Sequence, residues 1–140
     1  MWRFLSGWLA ATLLGAALKT IFDIVLFASV FATAVHQTPA ASDLPNAGNA
    51  LLATVLSYAI DFLLGFAVAF LLSRRFPAAH LGIFMIAGPL ALIAPRLIFV
   101  GPAFLALLWQ NTLAEIAIGS IAGLICGWIV RPREAEPTSA

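Results

Sequence analysis

The sequence is poor in charge. Lys, Arg, Asp and Glu together make up 9% of its 140 residues, against roughly 25% in an ordinary soluble domain. That shortage excludes a water-soluble globule, which would have no polar surface to present. Cysteine is scarcer still. Cys126 stands alone in an apolar run, so no intrachain disulfide and no cysteine-based metal site can form, and a packed core thiol is expected. The two histidines, His36 and His80, fall at opposite ends of the apolar segments and are not placed to share a haem. The sequence has no metal-spaced His cluster, glycine-rich phosphate loop or Ser-His-Asp set, so no cofactor and no metal are expected. Basic residues come in pairs rather than runs, too few for a nucleic-acid surface.

What is present is apolar length. Hydrophobic residues make up 63% of the chain and concentrate in four segments, about 4–35, 49–73, 81–108 and 111–130. A helix crosses a bilayer in ~20 residues at ~1.5 Å each. The expected fold class is therefore all-α, a polytopic membrane protein with a four-transmembrane-helix bundle. Residues 1–130 would form one domain, and the polar stretch 131–140 a disordered tail. The first and third segments are overlong and must tilt, kink or leave turns in the interface. The basic start Met1-Trp2-Arg3 and the stretch Ala32-Thr33-Ala34 resemble the two ends of a signal peptide. The apolar run between them is about twice the usual length and contains Lys19 and Asp23, so an uncleaved first helix is expected.

Orientation follows from loop charge. Under four spans Arg3, Arg74, Arg75, Arg131 and Arg133 all fall on one side, and the 36–48 loop on the other side has no Lys or Arg. By the positive-inside rule both termini and the middle loop are expected in the cytoplasm, with the protein in the inner membrane. Trp2, Trp8, Trp109 and Trp128 lie near span ends, as interfacial aromatics do.

Two cations and three carboxylates remain inside the spans: Lys19, Asp23, Asp61, Arg96 and Glu115. A lone charge at the bilayer centre costs roughly 2.5–3.5 kcal/mol even on a lenient scale, so these groups must pair, protonate or face water. Counted inward from the basic ends, Lys19, Asp61, Arg96 and Glu115 sit at one level, roughly 18–23 Å deep at ~1.5 Å per residue. Asp23 lies one turn beyond Lys19, on the same helix face. One reading is a structural network, with Lys19 on Asp23 and Arg96 on Asp61 or Glu115. A second is a binding site for a proton, an ion or a polar head group, with Asp61 or Glu115 as the carboxylate that takes a proton. Thr112-x-x-Glu115 also matches a capping box, with Asn111 or Thr112 as the cap, which would put Glu115 at the helix start instead.

The third segment carries Pro89, Pro95 and Pro102. Each proline removes a donor, so one reading is an ordinary proline kink and the other a broken helix, with Pro95 opening a half-helix that presents Arg96 at its positive end. The fourth has Gly119, Gly123 and Gly127 at four-residue spacing below Glu115, a glycine zipper that lets another backbone approach. The second has a related stripe of Ser57, Asp61, Gly65, Ala69 and Ser73. The partner of the glycine face is either a helix of this chain or another subunit. A faint similarity also relates 17–27 to 94–104, and the second helix to the fourth, as a parallel repeat would.

The function expected from these features is a small transporter or channel component with a charged site inside the membrane. The alternatives are an accessory or assembly subunit of a larger membrane complex and, more distantly, a lipid-directed enzyme within the membrane. The expected partners are the lipid bilayer and copies of the same chain or other membrane subunits. No known family is identified from these motifs.

Overall fold

The computed structural model describes residues 1–35, 47–101 and 109–131. Among them the backbone forms four helices: α1 (Trp2–Val35), α2 (Ala47–Arg75), α3 (His80–Val100) and α4 (Trp109–Val130). A single 3₁₀ turn, Pro77–Ala79, separates α2 from α3. Each helix is long and apolar enough to cross a membrane, over Trp2–Ser29, Leu51–Arg75, Pro77–Ile98 and Trp109–Val130. The expectations about the 36–48 loop fall outside the described residues except at its end, where α2 begins at Ala47. Those about Pro102, Arg133 and the tail fall wholly outside them.

The helices pack in a ring, α1 on α2, α2 on α3, α3 on α4 and α4 back on α1. Side-chain contacts show that neighbours run antiparallel. The Phe4 ring of α1 meets Phe70 of α2 at 5.4 Å, and Gly7 of α1 approaches Cys126 and Val130 of α4. Arg3, Arg74, Arg75 and Arg131 are thereby gathered at one end of the bundle.

The centre is filled by aromatic rings. In α2 they recur every fourth residue, so they share one helix face. Tyr58 meets Phe62 edge-on at 5.3 Å, and Phe62 stacks on Phe66 at 4.9 Å. Phe66 packs against Phe84 of α3, which in turn meets the His80 ring at 5.1 Å. Phe62, Phe66 and Phe84 are completely buried. The outward faces are apolar too, with Leu52, Leu56, Leu64, Val68 and Leu71 of α2 exposed. Apolar residues thus face both the bundle interior and its outside, as the membrane-spanning length of the helices would require.

The seam between α3 and α4 is the tightest in the bundle. A Cβ on Gly88 would overlap the Gly119 carbonyl, and one on Gly119 would meet the Gly88 and Pro89 backbone at 2.5–2.7 Å. A Cβ on Gly123 would overlap the Phe84 carbonyl, and one on Gly127 would lie 2.9 Å from the Phe84 Cβ. The face of Gly119, Gly123 and Gly127 is therefore taken by α3 of the same chain, not left free for another subunit. Gly65 of α2 makes the corresponding approach to Ala91 of α3, where an added Cβ would sit 2.6 Å from the alanine methyl.

Two of the alternative readings are set aside. First, α3 is one unbroken helix through both Pro89 and Pro95, so Pro95 does not open a half-helix. Each proline removes only its own N–H, and packing against α2 and α4 holds the rest of the ladder in place. The helix stops instead at Gly101, whose φ of 84° only glycine adopts freely. Second, α4 begins at Trp109, ahead of the Asn111 or Thr112 cap. Asn111 and Thr112 are thus helical, and Glu115 lies in the second turn, buried, instead of capping the start.

Candidate functional site

The five charged residues lie in the half of the bundle away from the arginine-rich end. Lys19 and Asp23, one turn apart on α1, form an ion pair. The Lys19 side chain is buried, while that of Asp23 is 46% exposed. Lys19 Nζ also lies 5.9 Å from the centre of the Phe22 ring. Arg96 of α3 pairs across the seam with Glu115 of α4. Here the burial is reversed: the Glu115 side chain is 1% exposed and that of Arg96 29%.

Asp61 completes the set. It stands on α2, half-buried, and is not ion-paired among the described residues. The Ser57 hydroxyl one turn before it donates to its carboxylate, and the Arg96 charge acts on it. The structure thus brings Asp61, Arg96 and Glu115 together across three helices and keeps Lys19 and Asp23 as a pair within one helix. The two halves of the chain build their ion pairs differently, one within a helix and one between helices.

Tyr58 joins the two groups and was not among the residues singled out from the sequence. Its hydroxyl is buried without a hydrogen-bond partner among the described residues, and Asp23, Asp61 and Arg96 all act on it electrostatically. The signal that could have found it is the spacing Tyr58, Phe62, Phe66, Phe70, Arg74 on α2. This stripe adjoins the small-residue stripe and faces the bundle interior. The hydroxyls of Thr12 and Thr20 on α1 are buried in the same condition. A buried hydroxyl with no partner costs about 1–3 kcal/mol.

An open apolar groove of about 490 Å³ runs between α2 and α3. Leu64, Val68 and Leu72 form one wall, and Ile83, Ala87 and Leu90 the other. Asp61 is the one charged residue in its lining and faces Ala94 and Pro95 at its end. Pro95 has no N–H to give to the Ala91 carbonyl one turn back, and Ala91 lines the same groove. The groove therefore ends on a carboxylate beside a backbone carbonyl that Pro95 cannot reach with an N–H. Among the described residues no group of His, Cys, Asp and Glu is arranged to hold a metal ion.

Comparison with protein-family models, curated proteins and solved structures returned no match.

Proposed function

We propose that this chain is a small integral protein of the inner membrane, with both termini in the cytoplasm, that works as a transporter or channel component. Its working group is Asp61. One observation carries this reading: Asp61 is the surplus acid. Three carboxylates face two cations. Lys19 takes Asp23 and Arg96 takes Glu115, and the carboxylate left over lines an open groove. An acid that is not needed to neutralise a neighbour, in a place where charge is costly, is suited to binding and releasing a proton or another cation.

The remaining charged residues support the site rather than carry the ion. Lys19 and Asp23 cancel within α1, and Arg96 with Glu115 cancels across the seam and ties α3 to α4. The accessory-subunit alternative relied on a free glycine face, and α3 fills that face.

The test uses the full chain in proteoliposomes with an internal pH dye. Asp61→Asn is expected to reduce cation or proton flux to background while helicity and thermal midpoint stay at wild-type values. Asp61→Glu is expected to retain flux. Wild-type flux in Asp61→Asn would sink the proposal.

A further inference from the structure

The opposite end of the bundle holds a second polar recess. Phe70, Ser73, Arg74, Pro77, His80 and Val130 line a cavity of about 380 Å³ where α2 ends, α3 begins and α4 ends. His80 is 7% exposed. Its Nε2 lies 2.9 Å from the Gly127 carbonyl oxygen, which can only accept, so Nε2 carries a proton and donates. That bond fixes the ring and leaves Nδ1 as the nitrogen without a hydrogen-bond partner among the described residues. The Arg74 guanidinium sits 4.5 Å above the Phe70 ring, and the Phe4 ring packs on Phe70 in turn. The Arg74 head is thus braced at the recess instead of sweeping through solvent.

The charge balance here is one-sided. Among the described residues Arg74 has no carboxylate partner, and Asp23, Asp61 and Glu115 all lie in the other half of the bundle. Ser73 spends its proton on the Phe70 carbonyl at 2.9 Å. The groups left to a ligand are a planar guanidinium fork, the free edge of the His80 imidazole and the positive end of α3. A recess lined by these groups and by no carboxylate among the described residues matches a tetrahedral oxyanion, which a guanidinium grips with two parallel hydrogen bonds.

We propose that this recess binds a phosphate group, either free phosphate or the headgroup phosphate of an anionic lipid. The site stands apart from Asp61 and does not depend on what Asp61 does.

Arg75 provides the control. It carries the same charge one residue away and does not line the recess. Native mass spectrometry of the full chain in detergent, with phosphatidylglycerol or phosphatidylcholine added, reads the retained lipid. Thermal midpoints with inorganic phosphate read the free ion. Arg74→Ala is expected to weaken phosphatidylglycerol or phosphate binding about tenfold, the worth of one charge-assisted hydrogen bond, while Arg75→Ala stays within about twofold. His80→Gln, which keeps a donor for Gly127 but removes the imidazole, is expected to weaken binding at an unchanged midpoint. Selective phosphatidylglycerol retention with no response to inorganic phosphate assigns a lipid headgroup, and the converse assigns free phosphate. Equal losses in Arg74→Ala and Arg75→Ala mean diffuse surface charge and overturn the site. So does undiminished binding in Arg74→Ala, or the absence of binding in both arms.

Discussion

Arg96 and Glu115 depend on each other unequally. Glu115 is enclosed, whereas Arg96 keeps part of its guanidinium exposed. Removing the cation strands a buried carboxylate. Arg96→Met is therefore expected to cost about 3–5 kcal/mol, and Glu115→Gln less, because the amide still accepts a hydrogen bond and Arg96 has an outlet. Replacing both, as Arg96→Met with Glu115→Leu, is expected to restore most of the loss. Unfolding followed in mixed micelles checks the order. A double variant as unstable as Arg96→Met alone would show that the pair is not what the two residues contribute. The presence of charges inside apolar runs is visible in the linear chain, and Lys19 with Asp23 follows from helical spacing. The choice of Glu115 over Asp61 as the partner of Arg96 does not, because both sit at the same depth. It is decided by the glycine seam, which brings α4 closer to α3 than α2 comes.

At the scale of elements, the α3–α4 contact is backbone against backbone. Gly88→Ala and Gly119→Ala each push a methyl into a main chain that cannot yield, and each is expected to destabilise the bundle by about 1–3 kcal/mol. Gly82 lies on the same helix with open space around it, so Gly82→Ala is expected to leave the thermal midpoint unchanged or slightly raised. A Gly88→Ala protein that melts with the wild type would remove the seam from the account. The four helices could be read from apolar length alone. The continuity of α3 could not, since local rules treat Pro95 as a stop, and only tertiary packing carries the helix past it to Gly101. The capping-box alternative for Glu115 fails for a related reason: Thr112-x-x-Glu115 has the spacing of a cap, but Trp109 and Gln110 already belong to the helix. The stripe from Tyr58 to Arg74 was hidden because each ring is one more apolar letter in an apolar run. The neighbouring stripe from Ser57 to Ser73 was more conspicuous, and its Asp61 and Gly65 face the groove.

For the molecule as a whole, the arginines gathered at one end make the orientation testable. Cys126 is buried, so an added thiol is read against a quiet background. In Ala78→Cys, at the exposed turn between α2 and α3, the proposed orientation is expected to give labelling by a membrane-impermeant maleimide in inverted vesicles and none in intact cells unless they are permeabilised. Labelling in intact cells would reverse the topology and move the phosphate recess to the opposite leaflet.

The rings of Phe62, Phe66 and Phe84 have a consequence for permeation. They plug the axis of the bundle, so a lone copy offers water no central path. A conducted ion would have to travel along the flank, between α2 and α3, where the wall on one side is the surrounding medium. Blockers that partition into lipid should then reach Asp61 sideways, while equally potent compounds confined to water arrive late or not at all.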